Sequence, residues 1–193
     1  MGNVASVQKA LNYLKVPATL TKDVAVIRDA KFIILPGVGS FQQGIANLKN
    51  DGLYDFLTHE VMERKKPFLG ICLGMQLIAS KGTEPFESRG LGWIEGEVLK
   101  IEATGKRVPH LGWNTIRAIQ PSYFDGVVDL DFYFIHSYHF KVADESSIAA
   151  TVNYGTDLVA CVQKDNIFAT QFHPEKSQDS GLKLLKNYFE LNA

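Results

Sequence analysis

The chain has 193 residues, 46% of them hydrophobic and 21% charged, with a formal net charge of -1. That composition supports a core without disulfide or metal, and it lacks the basic excess of a nucleic-acid binder. No apolar run reaches the roughly 18 residues of a membrane span, the start lacks a secretory pattern, and two distant cysteines, Cys72 and Cys161, make no disulfide framework. One domain over 1–193 in a reducing cytoplasm is the expectation.

Residues 4 to 15 place Val4, Val7, Leu11 and Leu14 on one helical face. The apolar run at 31 to 35, closed by Pro36-Gly37, predicts a buried strand. A helix is expected over 42 to 64, in two pieces with a break near Asn50-Asp51-Gly52. A second buried strand follows at 67 to 71, then a helix from Met75 to Ser80. Alternating strand and helix implies parallel strands joined by crossovers. The second half changes character. Residues 96 to 101, 108 to 118, 131 to 136, 148 to 153 and 158 to 171 are rich in Val, Ile, Phe and Tyr, with turn signals between them. They predict antiparallel strands and hairpins. Leu182, Leu185, Tyr188 and Phe189 share a face of a closing helix over 180 to 191. The fold class is therefore α/β, with a largely parallel central sheet, helices on both faces and an antiparallel extension.

Gly70-Ile71-Cys72-Leu73-Gly74 lies between a strand and a helix. This is the G-x-nucleophile-x-G elbow with cysteine as the nucleophile. The turn is tight and strained, so neighbouring side chains must vanish. The helix that follows aims its N-terminus at the sulfur, which favours thiolate. A lone cysteine after an apolar strand is otherwise a small hydrophobe; the paired glycines decide against that for Cys72. Cys161, in Leu158-Val159-Ala160-Cys161-Val162, has no such setting and reads as core.

Gln171-Phe172-His173-Pro174-Glu175 follows an apolar strand. Residues i and i+2 of an extended chain face the same side, and Pro174 biases His173 toward extended backbone. Glu175 can then hold the His173 ring in one tautomer and stabilise its imidazolium, as a thiol-activating base requires. His59 lies in a charged helix, and His110, His136 and His139 lie in strand-like segments. The His136-x-x-His139 spacing puts the rings on opposite faces of a strand, so no metal site is expected. Gly37-x-Gly39 opens like a dinucleotide fingerprint, but Gly44 falls outside its spacing. No cofactor is expected.

These segments resemble the class I (triad-type) glutamine amidotransferases, whose fold is flavodoxin-like. Within that class the chain looks closest to the glutaminase subunits of imidazole glycerol phosphate synthases. The likeness covers nearly the whole chain: Gly2-Asn3 with Ser6-Val7, the run from Leu35 to Phe41, the elbow through Gln76, Pro109 to Asn114, Phe134 to Tyr138, and Gln171 to Lys176. It implies that Cys72 attacks the amide carbon of L-glutamine, His173 shuttles the proton and Glu175 orients it. Gly37, Val38 and Gly39 would form an oxyanion strand, whose flip presents a backbone N–H beside that of Leu73. One such donor is worth roughly 3 kcal/mol. Gln76, Ser137 and Tyr138 match positions that hold the substrate; each also has a plainer reading as a solvated or strand-end residue. The implied partner is a (β/α)8-barrel cyclase, which uses the ammonia to form imidazole glycerol phosphate and an aminoimidazole carboxamide ribotide. Trp113 and Lys176 are the expected interface residues, with a core position as the alternative for Trp113. The resemblance implies an apolar strand ahead of Gly2-Asn3, where this sequence starts at Met1; its loss would expose neighbouring strand edges, and a truncated or misassigned start or another segment in its place are the alternatives. Rival readings are a paralogue that supplies a surface-polysaccharide sugar amidating enzyme, a non-catalytic regulatory module, and an unrelated cysteine hydrolase.

Overall fold

The computed structural model describes residues 4–102 and 105–193. Gly2-Asn3 lies outside the described residues. Helix α1 (Val4–Tyr13) buries Val7, Ala10 and Leu11. A short helix α2 (Val24–Asp29), which the sequence reading passed over, buries none of its residues. It is held by its ends: Asp23 caps its start, and the Lys66 ammonium donates to the Ile27 and Arg28 carbonyls. Strand β1 (Ile33–Gly37) precedes α3 (Phe41–Asn50) and α4 (Leu53–Thr58). The break between those helices falls at Asp51-Gly52, where Gly52 takes a left-handed conformation. A π-helical turn extends α4 to Glu63.

Strand β2 (Phe68–Cys72) runs straight into α5 (Leu73–Leu77), which is five residues long and starts two residues earlier than the sequence predicts. Two-residue strands β3 (Lys81–Gly82) and β4 (Ser88–Arg89) follow. Then come β5 (Gly96–Lys100), β6 (His110–Ala118), β7 (Asp131–His136), β8 (Tyr138–Val142), β9 (Ile148–Asn153), β10 (Asp157–Lys164), β11 (Ile167–Thr170) and the closing helix α6 (Gln178–Leu191). The sequence reading sets no range for β8, although His139 within it reads as strand-like; a bend at Ser137 separates it from β7.

The main sheet has the order β1-β2-β11-β10-β9-β6-β7. Its parallel part is β1-β2-β11, and its antiparallel extension runs from β10 to β7. A second sheet, β4-β3-β5-β8, packs beside it. The α/β class with an antiparallel extension is thus what forms. Alternation along β2 sends Leu69 and Ile71 to one core, with α1 and α6, and Phe68 to the other, with α3, α4, α5 and the second sheet. Both faces of the parallel part are therefore covered, and the parallel pairing of β2 with β11 places their carboxyl ends side by side. Among the described residues β1 pairs only with β2, and an apolar groove of ≈ 580 Å3 runs along its other side.

Candidate active site

Cys72 ends β2 at φ 55° and ψ -107°, a conformation that an L-residue adopts only under constraint. The constraint comes from how closely α5 lies on the strands. A Cβ on Gly74 would stand 1.8 Å from the Leu35 carbonyl oxygen, and one on Gly70 would stand 2.9 Å from that of Gly74. The glycine spacing in the sequence is therefore the spacing of two backbone contacts. With only five residues, α5 carries a smaller dipole than the predicted helix. The Leu73 N–H, in its first turn, is one of the amides that no helical carbonyl can satisfy.

His173 leaves β11 in extended conformation, and its N–H donates to the Tyr133 carbonyl at 2.9 Å. Residues Pro174–Lys176 then form a 3-10 turn. The turn, rather than a continued strand, brings the Glu175 carboxylate to 2.9 Å from His173 Nδ1. Both side chains are fully buried. Ser177 fastens the turn: its hydroxyl donates to the His173 carbonyl and accepts from the Tyr133 N–H. Burial pulls the His173 imidazolium down, but hydrogen bonds to Cys72 and Glu175, and the charges of both, outweigh it. The ring stands at about 9 in place of 6.5. Since Nδ1 faces a carboxylate, Nε2 is the nitrogen left for the sulfur.

Gly37 is register-paired with Cys72. Gly39 has φ 112°, and exposed Val38 lies between the two glycines. A cavity of ≈ 210 Å3 lies against Pro36 to Ser40 and Leu73. At the far end of this segment the Phe41 N–H donates to the carboxylate of Glu84, a residue the sequence reading did not single out. Desolvation holds that carboxyl above the usual carboxylate range, opposed by the Phe41 N–H.

Gln76 is buried, and its amide nitrogen donates to the Tyr138 carbonyl and to Gln171 Oε1, each at 2.9 Å. Ser137 and Tyr138 are half-buried beside it. Buried His136 donates from Nδ1 to the same Tyr138 carbonyl, so its Nε2 must accept from His110 Nδ1 at 3.0 Å; Asn114 then donates to His110 Nε2. This directed chain crosses β6 and β7, and local sequence gives no sign of it. Trp113 is 49% exposed rather than in the core; its ring meets Tyr133 edge-on, and Lys176 Nζ lies 5.8 Å from the centroid of the Tyr133 ring. Leu111 (59% exposed) and Ile135 (41%) are register partners next to them. Cys161 is wholly buried, and desolvation raises its thiol well above the usual range. Among the described residues no group of three or more His, Cys, Asp or Glu could hold a metal ion, and no helix is long and apolar enough to cross a membrane.

The profile of the family "Glutamine amidotransferase class-I" matches residues 3–191. The chain is 46% identical over 193 residues to "Imidazole glycerol phosphate synthase subunit HisH 1" of Campylobacter jejuni (strain RM1221), covering 98% of this chain and 96% of that protein. It is 45% identical to "Imidazole glycerol phosphate synthase subunit HisH" of Moorella thermoacetica, covering 99% and 91%. The fold is shared with a solved glutamine amidotransferase at TM-score 0.78 and 22% identity, over 99% of this chain and 94% of that one.

Proposed function

The chain belongs to the class-I glutamine amidotransferases, and from that premise we propose that Cys72, His173 and Glu175 hydrolyse L-glutamine to L-glutamate and ammonia for imidazole glycerol phosphate synthesis, in histidine biosynthesis. The observation that carries this is a cysteine at a positive-φ elbow, hydrogen-bonded to a buried imidazole that a buried carboxylate holds. His173 Nε2 takes the thiol proton, and Sγ attacks the carboxamide carbon. The charge on the carbonyl oxygen meets the Leu73 N–H and a second N–H turned toward it from Gly37-Val38-Gly39. The imidazolium then protonates the departing nitrogen, so that ammonia leaves and a glutamyl thioester remains. Water adds to the thioester, giving a proton to His173, and glutamate departs as the thiol re-forms. We place Gln76, Ser137 and Tyr138 on the substrate side, where Gln76 Oε1, which accepts no hydrogen bond among the described residues, would accept from an N–H of the substrate.

Ammonia released into neutral water becomes ammonium and loses its nucleophilicity, so it must pass directly to an acceptor. Relatives of this chain are named as synthase subunits, and a partner subunit receives the ammonia. We assign it as a (β/α)8-barrel cyclase in the cytoplasm, docked on Trp113 and Lys176. Leu111, Trp113 and Ile135 give that face the exposed apolar character an interface core needs, and Ile135 O lies 3.9 Å from Cys72 Sγ. The test is glutamate release with and without the ligand-bound cyclase. Addition should raise it by orders of magnitude, Cys72→Ala should abolish it, and Cys161→Ala should leave it intact. A subunit fully active alone, or an active Cys72→Ala variant, overturns the assignment.

A further inference from the structure

Gln171 is wholly buried at the end of β11, two residues before His173. The chain bends at Gln171 and Phe172, and both the Gln171 and the His173 side chains reach Cys72. The Gln171 amide nitrogen stands 3.8 Å from Cys72 Sγ. The surrounding bonds dictate which end of the amide faces the sulfur. The Tyr138 carbonyl can only accept, so the Gln76 group 2.9 Å away is its nitrogen. That nitrogen also lies 2.9 Å from the Gln171 side chain, which must present its oxygen there. The Gln171 N–H is then left for the sulfur. On another side of Sγ, the Ile135 carbonyl can accept only from a thiol. The nucleophile thus has an acceptor suited to its neutral form and a donor suited to its charged form, and the steps above use neither.

We propose that the Gln171 side-chain amide donates a hydrogen bond to the Cys72 thiolate, and that Gln76 holds that amide in the donating orientation; the catalytic meaning of this contact rests on Cys72 being the glutaminase nucleophile. A hydrogen bond to a charged acceptor is stronger than one to a neutral acceptor. The contact therefore acts most before attack and weakens as charge moves from sulfur to the substrate oxygen. It favours the poised enzyme and leaves a sulfur lone pair free for the carbon. Gln76 acquires a second task, as the link that sets the amide on the nucleophile.

The experiment follows alkylation of Cys72 by iodoacetamide against pH, read by peptide mass spectrometry, with fully buried Cys161 as internal reference. Gln171→Met keeps the length and burial but has no donor. Gln76→Met adds no charge near the sulfur, yet it cannot donate to Gln171 and so releases the Gln171 amide from its orientation. Each variant should slow alkylation at neutral pH about ten-fold and move the profile about one unit upward. Cooperatively folded variants with the wild-type profile overturn the proposal. A wild-type measurement covers the case in which both variants misfold. The 15N-labelled Gln171 side-chain amide must shift as the Cys72 thiol is titrated, and indifference overturns the proposal as well. Glutamate release with the cyclase is scored separately: a chain that alkylates as expected but yields no glutamate defeats the glutaminase assignment and not the contact.

Discussion

Glu175→Gln preserves the size of a buried side chain and its reach to His173 Nδ1 but removes its charge. In the wild-type protein Cys72 and Glu175 lift His173 from 6.5 to about 9 against the pull of burial. A rise of that size is worth ~3 kcal/mol in favour of the protonated folded state. A group raised on folding stabilises the fold fully below its unfolded value, and that stability is lost as pH climbs through the folded value. The window here runs from 6.5 to about 9. Since Cys72 supplies part of the lift as a thiolate, and so gives up a proton where His173 gains one, ~3 kcal/mol, or about 6–12 °C of melting temperature at this chain length, is the upper bound on what wild-type protein should lose across it. Glu175→Gln should lose less than half as much, since burial then works against the imidazolium with one supporter gone. Calorimetric melts of both proteins at half-unit intervals from pH 6 to 9.5 give the comparison, and groups common to both cancel in the difference. Glutamine hydrolysis with the cyclase should fall about 10²- to 10⁴-fold, the range for losing the orienting carboxylate of a triad. Parallel melting curves for the two proteins would refute the reasoning, because the carboxylate would then contribute nothing to the imidazolium.

Gly74→Ala drives a methyl group to 1.8 Å from backbone Leu35 O and should destabilise by ~2 kcal/mol or more in urea melts, whereas Gly44→Ala meets the movable Leu77 side chain at 2.9 Å and should cost less than ~1 kcal/mol. Burial, aided by the charge of Lys106, holds His110 at about 4; burial, aided by His110, His139 and His173 and opposed by the bond to the Tyr138 carbonyl, holds His136 at about 3. Both are depressed on folding, so their contribution is whole above 6.5 and lost as pH falls through those values. His110→Leu should begin less stable at pH 7, from the missing donor to His136, and lose less than wild type between pH 6.5 and 4 in thermal melts. Trp113→Ala should leave the melting temperature within a few degrees and weaken cyclase binding by ~2 kcal/mol or more in a calorimetric titration.

The elbow could be read from sequence because its constraints are local: two glycines and a cysteine within five residues reflect backbone contacts of α5 with β1 and β2. The His173–Glu175 pairing was legible for a similar reason, although a 3-10 turn achieves it. Gln171 was not, since its partners Gln76 and Cys72 lie 95 and 99 residues away. Helix α2 escaped notice because it has no buried face to print a period; its anchor is Lys66, 38 and 39 residues along the chain. The pairing of His110 with His136 needed the β6–β7 register, which alternation alone leaves open.

The left-handed backbone at Cys72 sets catalysis and durability in opposition at one residue. Glycine occupies φ 55° without penalty, while cysteine holds it under strain of about 1–3 kcal/mol. Only glycine relieves that strain, because alanine and serine keep the Cβ that causes it, and glycine gives up the buried side chain of Cys72 in exchange.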